Sequence, residues 1–87
     1  MSNNAAVGFR VVCLAGSAGG LKAYMDILRH LRADTGMAFV IAPHRGTEHS
    51  HLLPQILRLA TIMPVIEVTE EVRLEPDRVF VMPAVGR

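Results

Sequence analysis

The sequence predicts an α/β protein: a three-layer α/β/α arrangement around a mainly parallel sheet, present as a partial domain of about four strands and two helices. Three observations predict it. Short apolar runs alternate with segments whose apolar residues recur every three or four positions. The runs are apolar almost without interruption, as strands of a parallel sheet covered on both faces are. The fourth run ends near residue 87, so four strands have only two helices to cover them and part of one face stays open. Residues 9–87 are therefore expected to form the N-terminal half of a larger domain, behind a loose, polar terminus at 1–8.

The elements follow in order. "FRVVCLA", residues 9–15, is a β-branched apolar run that stops at Gly16, the pattern of a buried strand. "LKAYMDILRHLR", residues 21–32, changes period: Leu21, Tyr24, Met25, Leu28 and Leu31 form one apolar face, flanked by the stem of Arg32. Lys22, Asp26, Arg29 and His30 fall largely on the other side. "ADTG" ends this helix, with Gly36 suited to the turn. "MAFVIAP", residues 37–43, is the second strand. In "HRGTEHSHLLPQILRLA", Leu52, Leu53, Ile56, Leu57 and Ala60 fit a second helix face. Pro54 must lie in its first turn, with Thr47 or Ser50 as the cap. "PVIEV", residues 64–68, and "RVFVMP", residues 78–83, complete the set, the last preceded by the turn "EPD".

Composition bounds the function classes. Hydrophobic residues make up 51% of the 87, against disorder. Aromatic residues are 5%, so an aliphatic core is expected. A net charge of +1 gives no reason to expect nucleic acid or an anionic membrane as the main partner. The lone Cys13 excludes an intrachain disulfide and is expected as a small core residue. No apolar run is long enough for a membrane span, and the start lacks the features of a signal peptide. A cytoplasmic protein without membrane insertion is expected.

In open α/β sheets, reacting groups gather at the carboxyl ends of the strands. The first strand ends in "AGSAGGLK". A phosphate loop would need glycine where Leu21 stands. The dinucleotide fingerprint would use Gly16 and Gly19, with its first glycine falling at Leu14. A nucleophile elbow, GxSxG, places Ser17 and Gly19 correctly, with Ala15 for the first glycine. A serine in a strand–helix turn is also an ordinary helix cap. The second strand ends in "PHRG", which sets His44 27 residues after Ser17. If the two strands are neighbours, their ends lie about 5 Å apart, or about 10 Å with one strand between. Imidazole is the usual base for a serine nucleophile. His44, His49 and His51 cluster without the i, i+4 spacing of a helical metal pair, so no metal and no cofactor are expected.

Together, "VVCLAGSAGGLKAYMDILRHL", "GMAFVIAPHRGTEHSHLLPQIL", "MPVIEV" and "EPDRVFVMP" resemble the catalytic domain of chemotaxis protein-glutamate methylesterases, the CheB family, over residues 9–84. The resemblance implies hydrolysis of glutamate methyl esters on methyl-accepting chemotaxis receptors. It makes Ser17 the nucleophile and His44 its general base, with Ala18 and Gly19 at the oxyanion turn. Ala18 stands where relatives often carry Thr. The family's triad aspartate belongs to a later glycine-rich segment, which residues 1–87 do not include. Asp26, Asp34 and Asp77 all fall away from the strand carboxyl ends, so these residues alone are expected to be weakly active or inactive. Two other readings remain: a phosphate- or dinucleotide-binding Rossmann-like domain, and a non-catalytic interaction fragment that self-associates through an exposed sheet edge.

Overall fold

A computed structural model describes residues 8–16, 20–43 and 52–83. Strand β1, Val11–Gly16, leads to helix α1, Gly20–Arg29, and strand β2, Ala38–Pro43. Helix α2, Leu53–Leu57, then precedes the short strands β3, Val65–Glu67, and β4, Val79–Val81. All strand pairs are parallel, in the order β1-β2-β4-β3. The expected element order and parallel sheet are what the chain adopts.

Strand β1 pairs with β2 along six residues, from Val11 opposite Ala38 to Gly16 opposite Pro43. Gly16, read as the stop after the first strand, is the last residue of the ladder. Period-two alternation divides the sheet into two faces. Val12, Leu14, Phe39, Ile41, Val79, Val81 and Val65 share the face that packs with Tyr24 and Leu28 of α1 and Leu53 and Leu57 of α2. Both helices lie on this face and touch each other, because right-handed crossovers that advance in one direction stack on one side. The step from β3 back to β4 reverses direction, for which the same rule favours passage over the opposite face. Phe80 of that face is 1% exposed.

The two faces correct the reading of Cys13. It is exposed, because it alternates with Val12 and Leu14 and so turns away from the helices. The core is also less aliphatic than composition suggested: Phe39 and Phe80 are among the largest fully buried side chains. Two of only three phenylalanines thus sit in central strands, β2 and β4.

Helix α1 is shorter than the predicted 21–32. His30 and Leu31 donate their N–H groups to the carbonyls of Ile27 and Leu28, at 3.1 and 3.2 Å. This tightens the last turn to i→i−3 spacing. The Asp26 carbonyl, left without its usual partner, accepts from His30 Nδ1 at 2.7 Å. Leu31 still packs against the core. Helix α2 likewise gives way to tight turns, with Leu59 and Ala60 bonded to Ile56 and Leu57. Its predicted face holds: Leu53, Leu57 and Ala60 are buried. Pro54 occupies the first turn as expected, but the cap position is Leu52, which makes no side-chain cap bond. Thr47 and Ser50 lie outside the described residues.

The amino edge of the sheet is tied by one polar knot. Gly36, at φ +79°, donates its N–H to Asp77 Oδ1 at 2.7 Å. The Asp77 N–H donates to the Met37 carbonyl at 2.8 Å, and Asp77 itself adopts φ +62°. A positive φ suits glycine and is tolerated by aspartate, whose short side chain bonds locally. Among the described residues no helix is long and apolar enough to cross a membrane.

Candidate functional site

The carboxyl ends of β1 and β2 meet at the Gly16–Pro43 pair. The two strands are therefore direct neighbours, and the arrangement with an intervening strand does not apply. Neighbouring parallel strands are about 4.8 Å apart. Ser17 is the next residue after Gly16, and His44 the next after Pro43. Pro43 is buried and its ring fixes φ where the chain leaves the sheet. Beyond β2, the Met82 N–H donates to the Ile41 carbonyl at 2.8 Å, so β4 flanks β2 on its other side up to this edge. Ser17, Ala18, Gly19 and His44 themselves lie outside the described residues, as do Arg45, His49 and His51.

Helix α1 opens at Gly20, three residues after Ser17. Its first N–H groups have no partner within the helix and carry a partial positive charge. No acidic residue occupies its first turn to cancel that charge. The fold thus brings the carboxyl ends of β1 and β2 to one edge of the sheet, and Ser17 and His44 are the next residues in the sequence.

The three aspartates are engaged elsewhere. Asp26 lies mid-helix in α1, 3.0 Å from Lys22 Nζ and 3.6 Å from Arg29 Nη1. The Lys22 hydrogen bond is the main cause that lowers its pKa; burial opposes it, and the charges of Lys22, Arg29 and His30 add to the lowering. Asp34 pairs with Arg32 at 3.0 Å in the turn before β2. Asp77 holds the Gly36 N–H at the amino edge. None stands at the carboxyl edge, in agreement with their exclusion as triad members. Among the described residues no three His, Cys, Asp or Glu side chains gather as a metal site.

One polar group near this edge was read only as part of an apolar face. Tyr24 is 5% exposed, and its hydroxyl has no hydrogen-bond partner among the described residues. Burial, followed by the nearby Cys13, raises its pKa above 10.0. The available signal was its position: Tyr24, the sole tyrosine, stands one helical turn after Gly20, on the face turned to the sheet.

The parallel sheet and its one-sided helices describe a partial α/β domain. The family model for CheB methylesterase matches residues 12–86, and the chain belongs to that family. Its fold is similar to a crystal structure of the Thermotoga maritima CheB methylesterase catalytic domain, with a TM-score of 0.76 at 20% identity. The similarity covers 86% of this chain and 40% of that one. No curated protein matches the chain.

Proposed function

We propose that this chain forms the nucleophile-bearing half of a protein-glutamate methylesterase active site, acting in the cytoplasm on methylated glutamates of chemotaxis receptors. The observation that carries the proposal is the direct pairing of Gly16 with Pro43, the residues that precede Ser17 and His44. Family membership supplies the substrate class.

In this reading, Ser17 Oγ attacks the ester carbonyl carbon while His44 takes the hydroxyl proton. Backbone N–H groups of Ala18 and Gly19, beside the electropositive start of α1, stabilise the oxyanion. The tetrahedral intermediate collapses, the C–O bond to the methyl group's oxygen breaks, and the imidazolium gives its proton to the departing methanol. Water then attacks the acyl-serine, with His44 again taking a proton. The glutamate carboxylate leaves and Ser17 is restored. A third group orients the histidine and stabilises the imidazolium; its loss costs roughly 10⁴-fold in the serine-protease case. Asp26, Asp34 and Asp77 are each engaged elsewhere and none of them is that group.

Methanol release from a methylated receptor segment tests the proposal. Residues 1–87 alone give weak or no turnover. Joined to the remainder of a family catalytic domain, they turn over, and Ser17→Ala or His44→Gln each lowers kcat by at least about 10³-fold. Turnover by the joined protein that survives Ser17→Ala would rule the mechanism out.

A further inference from the structure

We propose that a second copy of this chain docks its acidic segment, residues 67–72, into an open groove between the end of α1 and the turns that follow α2. The proposal does not depend on the roles given to Ser17 and His44.

The floor of the groove is apolar: Leu28 and Ala60 are buried, and Leu31 packs against the same core. Leu59 and Ile62, on its wall, are 80% and 90% exposed, the two most exposed large hydrophobic side chains among the described residues. Exposed aliphatic side chains that continue an apolar floor mark a surface for another molecule. Two guanidinium groups at the groove set its charge. Arg58 forms no ion pair among the described residues. Its Nη2 donates to the Val65 carbonyl at 2.8 Å, which holds the fork in place while its other donors stay available. Arg29 lies 3.6 Å from Asp26, whose carboxylate is hydrogen-bonded to Lys22 at 3.0 Å. The groove thus suits a segment that combines aliphatic side chains with carboxylates.

The chain carries such a segment on another surface. Glu67, Glu70 and Glu71 are exposed, and none pairs with a cation among the described residues. Val72 beside them is 43% exposed. Within one chain the two surfaces are held apart, because residues 58–62 lead into the amino end of β3 and the acidic segment leaves its carboxyl end. A second copy brings them together. The contact joins unlike surfaces, so two copies exchange both contacts or the array extends. Leu59, Ile62 and Val72 supply most of the affinity, since exposed ion pairs add little, and the charges set the orientation.

Sedimentation velocity of the chain between about 10 µM and about 1 mM tests the proposal. The parent associates reversibly, and salt at about 0.5 M weakens the association. Ile62→Ser changes only an exposed side chain and weakens it roughly tenfold or more. Glu70→Lys with Glu71→Lys does the same, as does Arg58→Glu. Mixing the lysine variant with Arg58→Glu restores association, because each groove then faces a segment of opposite charge. A parent that stays monomeric at every concentration overturns the proposal. Association that survives either Ile62→Ser or the lysine variant overturns it too, by placing the contact elsewhere. Failure of the mixture to associate, with both variants folded by circular dichroism, overturns the pairing of groove and segment. If Arg58→Glu does not fold, the other two variants decide: loss in both supports the proposal, and loss in one alone overturns it.

Discussion

A single side chain can be placed correctly on a helix face and still be misjudged. Tyr24 counts as one more apolar position in the 3.6-residue pattern, and periodicity carries no information about its hydroxyl. Cys13 shows the complementary loss. An unbroken apolar run conceals which residues point to which face, and only pairing with β2 sets Cys13 on the side away from the helices. The expectations for Ser17 and His44 rest on residue type and on what precedes them, Gly16 and the strand-ending Pro43, and both residues lie outside the described ones. Tyr24 also gives a pH prediction. Burial raises its pKa above 10.0, so the folded state retains the phenol proton where the unfolded chain has lost it. The associated stability is complete below about pH 10 and is lost as pH rises through the folded value. In urea unfolding at about pH 8 and about pH 11, the parent loses more stability between the two than Tyr24→Phe. Equal losses would show that the phenol is not buried in the folded protein.

Among the elements, existence and type were legible and ends were not. Both helices stop early for one reason: their last turns tighten to i→i−3 bonds, a choice made by packing rather than by apolar spacing. The cap of α2 was misassigned because Pro54, favoured at a helix start, lets the helix open at Leu53 without a side-chain cap. Gly36 was legible as a turn residue, but its partner was not, since Asp77 lies 41 residues away. That contact fixes the turn before β2 to the turn before β4, and so the heights at which both strands enter the sheet. Nothing lies within 4 Å of a Cβ added at Gly36, so Gly36→Ala meets no clash and its cost comes from φ +79° alone. Urea denaturation should show a loss of about 1 kcal/mol. An unchanged or raised midpoint would mean that the turn relaxes freely and does not hold the two strands.

At the scale of the whole molecule, the alternation of strands and helices gave the parallel sheet, but the strand order β1-β2-β4-β3 could not be read from it. A single crossover passes over one strand position, and β4 later fills the gap. No local pattern encodes that skip; it comes from the burial of β4, whose three residues are all shielded. The consequence for the site is that β2 lies between β1 and β4, and its last residue, Pro43, pairs with Gly16 at the end of β1. Asp26, Asp34 and Asp77 stay away from that edge, each held by a partner of its own. The most direct measurement is the distance between Ser17 Oγ and the nearer His44 ring nitrogen, in a crystal structure of the chain joined to the rest of a catalytic domain. The account predicts about 2.6–3.2 Å, or one bridging water. A separation beyond roughly 8 Å, with strands β1 and β2 still paired, would contradict it.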